Sequence, residues 1–116
     1  MAGRARSISK RTWNASQSWH YEELLEIPTT SGVAKVRIHI RSNAYDEQSS
    51  GVAERWDGAR WQQITHRSGI ELASRHGAMG SKRPVSYTSS TLSPAALAAF
   101  TADRDALLKE AQAILR

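Results

Sequence analysis

The stretch that decides the fold runs from Trp19 to Ile40 and reads WHYEELLEIPTTSGVAKVRIHI. Apolar residues recur at alternate positions toward Ile27, and they do so again from Ala34 onward. Alternation with a period of two is typical of half-buried strands, and the polar TTSG segment between the two halves predicts a tight loop. We therefore predict a β-hairpin over this stretch.

The length of the loop sets the register of this hairpin. If Thr29–Gly32 forms a four-residue loop, the apolar sets of both strands lie on one face, whereas a five-residue loop places them on opposite faces. We predict the first register, with these cross-strand pairs: Ile27:Ala34, Leu25:Val36, Glu23:Ile38 and Tyr21:Ile40. Glu23 is the one charged residue that this register places on the apolar face.

The opposite face of the second strand carries four basic or titratable side chains: Lys35, Arg37, His39 and Arg41. The predicted register places Glu26 opposite Lys35. It places Glu22 opposite His39 in the same way. Because cross-strand charge pairs are ordinary on a sheet surface, this row is half neutralised. Only Arg37 and Arg41, with His20, are left as candidate anion contacts.

A second hairpin is predicted around Asp57-Gly58, since this dipeptide is a strong turn signal. A loop of two or four residues places Trp56 and Trp61 on the same face, and a loop of three residues separates them. We expect a shared face. Residues 84–91, in which Val85 and Tyr87 alternate with polar residues, are a candidate fifth strand.

The C-terminal segment predicts a helix, because Ser93-Pro94 supplies an N-cap and a first-turn proline. Apolar residues recur at steps of three and four: Leu97, Phe100, Leu107, Leu108, Ala111, Ile114 and Leu115. Asp103, Lys109 and Glu110 lie away from that face. The predicted fold class is α+β, an antiparallel meander of four to five strands with one amphipathic C-terminal helix packed on one face. Residues 1–17 are expected to form a flexible, disordered basic arm, and residues 18–116 a single α+β domain.

Composition excludes several kinds of chemistry. The chain of 116 residues has no cysteine, so disulfides and thiolate sites are excluded. We find no apolar run of membrane-spanning length and no secretory pattern, and we expect a cytoplasmic protein with no membrane partner. The four histidines lack zinc-site spacing, and neither a Gly-rich phosphate loop nor a nucleophile elbow is present. We therefore expect no metal, no cofactor, no catalytic residues and no enzymatic activity.

The net charge of +5 is unevenly distributed. Residues 1–11 carry +4, residues 12–66 carry −2, residues 67–83 carry +3, and residues 84–116 are balanced. Basic segments at the edge of a near-neutral body are typical of proteins that hold a polyanion. Trp13, directly after two cations, is the aromatic candidate for base stacking. The candidate contact residues for nucleic acid or a partner are Arg4, Arg6, Lys10, Arg11, Trp13, Arg37, Arg41, Arg67, Arg75, Lys82 and Arg83.

These observations lead to two functional hypotheses. The first is a small, non-enzymatic module that contacts nucleic acid through its N-terminal arm and a long loop over residues 67–83. The alternative is a protein–protein inhibitor or adaptor, encoded by a phage or mobile element, that acts on a nuclease or a nucleic-acid-guided host defence complex. The small apolar core with four tryptophans favours this alternative, since it leaves aromatic surface for a partner. A homodimer is compatible with both hypotheses.

Overall fold

The computed structural model describes residues 4–15, 18–43, 48–74 and 91–115. These residues form five strands, a short 3-10 turn and one helix: β1 (Arg6–Ala15), β2 (Ser18–Thr29), β3 (Gly32–Asn43), β4 (Ser50–Trp56), β5 (Trp61–Ser68), the turn Gly69–Glu71 and α1 (Pro94–Ile114). The strands lie in the order β1-β2-β3-β4-β5, and each pairs antiparallel with the next. The predicted α+β class, a meander with a helix packed against it, is confirmed.

The first hairpin has the predicted register. Strands β2 and β3 pair Ile27 with Ala34 and continue without a shift to Ser18 and Asn43. The pairing also reaches Thr29 and Gly32, so the turn itself is shorter than the predicted loop. Gly32 has a φ of 125°, a backbone conformation that residues other than glycine rarely adopt.

Strand β1 corrects the expectation of a flexible arm over residues 1–17. Arg6–Ala15 pairs with β2 as an edge strand, with one register shift between Ser7 and Ser9. Complementary charge supports the pairing, because Arg11 lies 3.2 Å from Glu22 across the strands. All of β1 is exposed except the half-buried Trp13. Its sequence therefore shows no apolar alternation.

The second hairpin places Trp56 opposite Trp61, so these residues share a face as predicted. Asp57 closes the turn by accepting hydrogen bonds from the amides of Ala59 and Arg60, each at 2.8 Å. Strand β5 continues to Ser68, so Arg67 lies in the sheet and not in the long loop where we expected it. The candidate strand over residues 84–91 lies outside the described residues except for Thr91, which is a bend. Among the described residues, the strand that brings the sheet to five is β1, which the sequence did not predict.

Helix α1 begins as predicted, with the side chain of Ser93 accepting a hydrogen bond from the amide of Ala96 and with Pro94 in the first turn. Its fully buried residues Phe100 and Leu107 pack in one core with the inner side chains of β2, β3 and β4. These inner side chains include Leu25, Val36, Ile38, Ile40 and Ala53. The helix joins the sheet through a single apolar layer.

Three helix residues lie differently from the predicted pattern. Asp103, expected to face solvent, is buried and accepts hydrogen bonds from the amides of Ala73 and Ser74 at 2.6 and 3.0 Å. The chain that follows β5 packs against the helix at Asp103. The spacing of apolar residues within the helix cannot predict this contact. Leu97 and Ile114, both expected in the core, are 46% and 57% exposed.

Candidate nucleic-acid interface

The two faces of the sheet differ in what covers them. Helix α1 packs against the inner face of β3, β4 and β5, and the hydrophobic core lies between. On the opposite face, here called the open face, the side chains are half-buried by their neighbours in the sheet or exposed, except for Ser18 and Asn43 at one end, which are buried. Among the described residues, the helix therefore covers one face of the sheet and not the open face.

Three nearly parallel aromatic rings, here called the ring stack, lie together across strands β1, β2 and β3 on the open face. Trp13 lies opposite His20 in the register, and their ring centroids are 4.8 Å apart with planes 3° from parallel. His39 lies edge to edge with His20, with ring centroids 5.2 Å apart, and its ring centroid is 5.7 Å from that of Trp13. The Nδ1 atom of His20 and the Nε2 atom of His39 are within hydrogen-bond distance at 2.9 Å. Neighbouring strands thus bring together rings that are distant in the sequence.

The two histidines are uncharged at neutral pH. Burial, followed by the proximity of His39 and Arg41, lowers the pKa of His20 to about 4. Burial is also the largest cause that lowers the pKa of His39, with Glu22 opposing the shift. Because neither ring is protonated at neutral pH, one ring donates its single N–H to the free nitrogen of the other. The stack therefore provides aromatic surface at neutral pH, while its positive charge comes from arginines.

Two arginines flank the ring stack. The guanidinium of Arg11 lies over the ring of Trp13, 4.5 Å from its centroid, and also contacts Glu22. Arg41 lies opposite His20 in the register and donates from Nε to the hydroxyl of Ser18 at 3.1 Å. Within the described residues, no carboxylate forms an ion pair with Arg41. Arg41 is thus better placed than Arg11 to bind an external anion.

A second aromatic cluster lies on the open face of β3, β4 and β5. Trp56 and Trp61 meet edge to face with centroids 5.4 Å apart. Arg37 lies over the ring of Trp61 at 4.5 Å and donates two hydrogen bonds to Glu54 at 2.8 and 3.0 Å. The cation of this cluster is thus already engaged by a carboxylate, so the cluster offers a partner less positive charge than the ring stack does.

The structure brings some of the predicted contact residues together and separates others. Arg11, Trp13 and Arg41 share the ring stack, and Arg37 lies on the same face. Arg67 is elsewhere, since its side chain lies on the helix side and donates to Glu110. Arg4 and Lys10 are exposed, and Arg6 is 3.8 Å from Glu26. Three predicted contacts lie outside the described residues: Arg75, Lys82 and Arg83.

Sequence reasoning did not find the ring stack, because the stack depends on β1. A signal for that strand exists in the charges. Reading β1 forward and β2 backward, Lys10 meets Glu23 and Arg11 meets Glu22 at one constant register, the register that also places Trp13 opposite His20. The recurrence of opposite charges at this one antiparallel register is the signal that predicts the additional strand.

No other kind of site is evident in the described part of the chain. Groups of three or more histidine and carboxylate side chains that could hold a metal ion are absent from the described residues. In the same ranges, no helix is long and apolar enough to cross a membrane. Comparison of the chain with protein-family models, curated proteins and solved structures finds no match. The open face is therefore the candidate site.

Proposed function

We propose that the protein is a non-enzymatic module that binds single-stranded nucleic acid on the open face of its sheet. The observation that carries this proposal is the stack of Trp13, His20 and His39 beside Arg11 and Arg41. Proteins that bind single strands combine aromatic surfaces, on which bases stack, with cations that follow the phosphates. Both components lie on one surface here.

Within this proposal, Trp13 is the base-stacking residue. It is half-buried, its ring is held by His20, and the side chain of the neighbouring Arg11 is 69% exposed. An incoming base competes with the guanidinium of Arg11 for the indole, and Arg11 then contacts a phosphate. Bases in a duplex are already stacked and paired, so this mode of binding favours a single strand.

The cations have unequal roles. Arg41 is the principal phosphate contact, because its only described partner is the neutral hydroxyl of Ser18. For Arg11 and Arg37 a phosphate must compete with Glu22 and Glu54, respectively. We therefore expect few phosphate contacts and a modest dependence of affinity on salt.

Fluorescence anisotropy with a labelled single strand of about twelve nucleotides, as DNA and as RNA, tests this proposal. The affinity should fall as salt rises from about 50 to about 200 mM, with a slope of about 0.7 per phosphate contact. Trp13→Ala should weaken binding by about tenfold at every salt concentration, since stacking is worth about 1–3 kcal/mol per base. Arg41→Gln should also weaken binding and reduce the slope by about 0.7.

Lys109→Gln is the matched control, because it removes an exposed cation from α1, away from the open face. Its affinity and salt slope should equal those of the unmodified protein. If no single strand binds at low salt, or if Arg41→Gln and Lys109→Gln behave alike, the proposal is wrong.

A further inference from the structure

The same arrangement of three side chains occurs twice on the open face. In each case an arginine guanidinium lies 4.5 Å from the centroid of a tryptophan ring, and the arginine also pairs with a carboxylate of a neighbouring strand. The first unit consists of Trp13, Arg11 and Glu22, and the second unit consists of Trp61, Arg37 and Glu54. The first unit belongs to the proposed nucleic-acid surface, so its repetition indicates a related role for the second.

The two units adjoin each other along β3. Arg37 and His39 are two residues apart on this strand, so their side chains lie on the same face, about 7 Å apart. His39 is 5.7 Å from Trp13, and Arg37 lies over Trp61. The path from Trp13 to Trp61 through these residues is therefore about 15–20 Å long. Since stacked bases of one strand are about 3.4 Å apart, only a strand of several nucleotides reaches both tryptophans.

The second unit combines a fixed aromatic surface with a cation. Trp56 packs edge to face against Trp61, which holds the orientation of both half-buried rings. The two hydrogen bonds from Arg37 to Glu54 come from Nε and Nη2 and go to the same carboxylate oxygen. Neither bond uses Nη1, so this nitrogen can donate to a phosphate. Aromatic surface and a guanidinium are the two components that a bound single strand requires.

We infer that the second unit is a second base-stacking subsite, so that a single strand crosses the open face from Trp13 to Trp61; this inference rests on the proposed function. A base displaces Arg37 from the ring of Trp61, and the guanidinium then contacts a phosphate of the same strand. The second subsite is weaker than the first, because Arg37 donates two hydrogen bonds to Glu54 with which the strand must compete. It contributes only when the strand is long enough to occupy both subsites.

Fluorescence anisotropy at low salt with labelled oligothymidylates of about three and about twelve nucleotides tests this inference. The shorter strand occupies the first subsite alone, whereas the longer strand reaches both. Trp61→Leu should therefore weaken binding of the longer strand by about tenfold, the loss expected for one stacked base, and leave the affinity for the shorter strand unchanged. Trp61→Phe, which keeps an aromatic surface, should retain most of the affinity. Trp13→Ala should weaken binding of both strands.

Glu54→Gln provides an independent test that leaves both tryptophans in place. It releases Arg37 from its carboxylate, so the longer strand should bind about threefold more tightly and the shorter strand should bind as before. Gln62→Ala is the matched control, because Gln62 follows Trp61 in β5 and its side chain lies on the other face of the sheet. This control should change neither affinity, and urea denaturation shows whether each variant is folded.

The outcomes separate this inference from the proposed function. If neither strand binds the unmodified protein, or if Trp13→Ala changes neither affinity, the proposed function is wrong and the inference fails with it. If Trp13→Ala weakens binding but Trp61→Leu binds the longer strand like the unmodified protein, the second subsite alone is wrong. Equal losses for both strands in Trp61→Leu would also overturn the inference. If Trp61→Leu is unfolded, Glu54→Gln decides, and an unchanged affinity for the longer strand contradicts the second subsite.

Discussion

The two faces of the sheet carry similar residue types with different consequences. Glu22 and Glu23 are neighbours on β2, yet Glu23 is 2% exposed on the helix side, whereas Glu22 lies on the open face. Glu23 accepts hydrogen bonds from Tyr21 at 2.6 Å and from Arg104 at 2.9 and 3.0 Å. In the described residues, the one ion pair of Glu22 is with Arg11, whose side chain is largely exposed. The covered face uses its polar groups to hold the helix, and the open face keeps them accessible.

Burial decides this difference. A buried carboxylate is stable only when its oxygens are hydrogen-bonded, so Glu23 and its partners act as one unit. An exposed ion pair is screened by water and contributes little to stability. We therefore expect substitutions on the covered face to change stability, and substitutions on the open face to change binding.

The largest expected effect is that of Phe100→Ala in the core. Phe100 is fully buried and stacks near Tyr21 at 6.2 Å, so its loss should cost about 4 kcal/mol of unfolding free energy. Trp13→Ala, which removes a larger ring from the open face, should cost only about 1 kcal/mol, because that ring is half-buried. Urea denaturation measures both values, and equal losses would remove the distinction between the faces.

Arg104→Ala should cost about 3 kcal/mol, because it leaves the carboxylate of Glu23 buried with one fewer cationic partner. The matched control is Arg60→Ala in the exposed turn of the second hairpin, which should change stability by less than about 0.5 kcal/mol. If the two variants unfold at the same urea concentration, Arg104 does not stabilise Glu23 as described.

The pH dependence of stability should reveal the histidine pair. The pKa of His20 is lowered from its usual 6.5 to about 4, so the unfolded chain binds a proton between these values that the folded chain does not bind. Unfolding free energy should therefore fall as pH decreases from 6.5 toward 4. His20→Asn should flatten this part of the urea-midpoint profile relative to the unmodified protein. Parallel profiles would show that His20 titrates normally in the folded state.

The smallest effect on stability is expected for Glu22→Gln. The substitution removes an ion pair on the sheet surface whose arginine is largely exposed, so stability should change by less than about 0.5 kcal/mol. The same substitution frees Arg11 from its carboxylate, and binding of the single strand should become tighter by about threefold. Weaker binding in the anisotropy titration would contradict the role given to Arg11.

The sequence predicted those parts of the fold that are written in local patterns. Alternating apolar residues fixed the β2–β3 register, and Ser93-Pro94 marked the start of α1. Strand β1 was missed because an exposed edge strand needs no apolar side chains, and its pairing depends on charges in another strand. Asp103 was misplaced for a related reason, since its partners at Ala73 and Ser74 are about thirty positions away in the chain.

The candidate site was predicted only in part, for the same physical reason. Arg11, Trp13 and Arg41 were identified individually as contact residues, but their meeting on one face depends on β1. Without that strand, the charge pattern favoured an arm and a loop over the sheet face. The predicted charge pairs of the β3 row are correct in register but are not ion pairs, because Glu26 and Glu22 contact Arg6 and Arg11 of β1. Arg37, which we expected to be left for an anion, pairs with Glu54 of β4.

The most direct test of the proposed binding surface is amide chemical-shift mapping of the ¹⁵N-labelled chain with an unlabelled single strand of about twelve nucleotides. We predict that the changes concentrate at Arg11, Trp13, His20, His39 and Arg41, and that they are smaller in Arg41→Gln at the same concentrations. Amides of the outer surface of α1, including Lys109, should not move. Changes centred on α1, or no changes at low salt, would contradict the assignment of the open face as a nucleic-acid-binding surface.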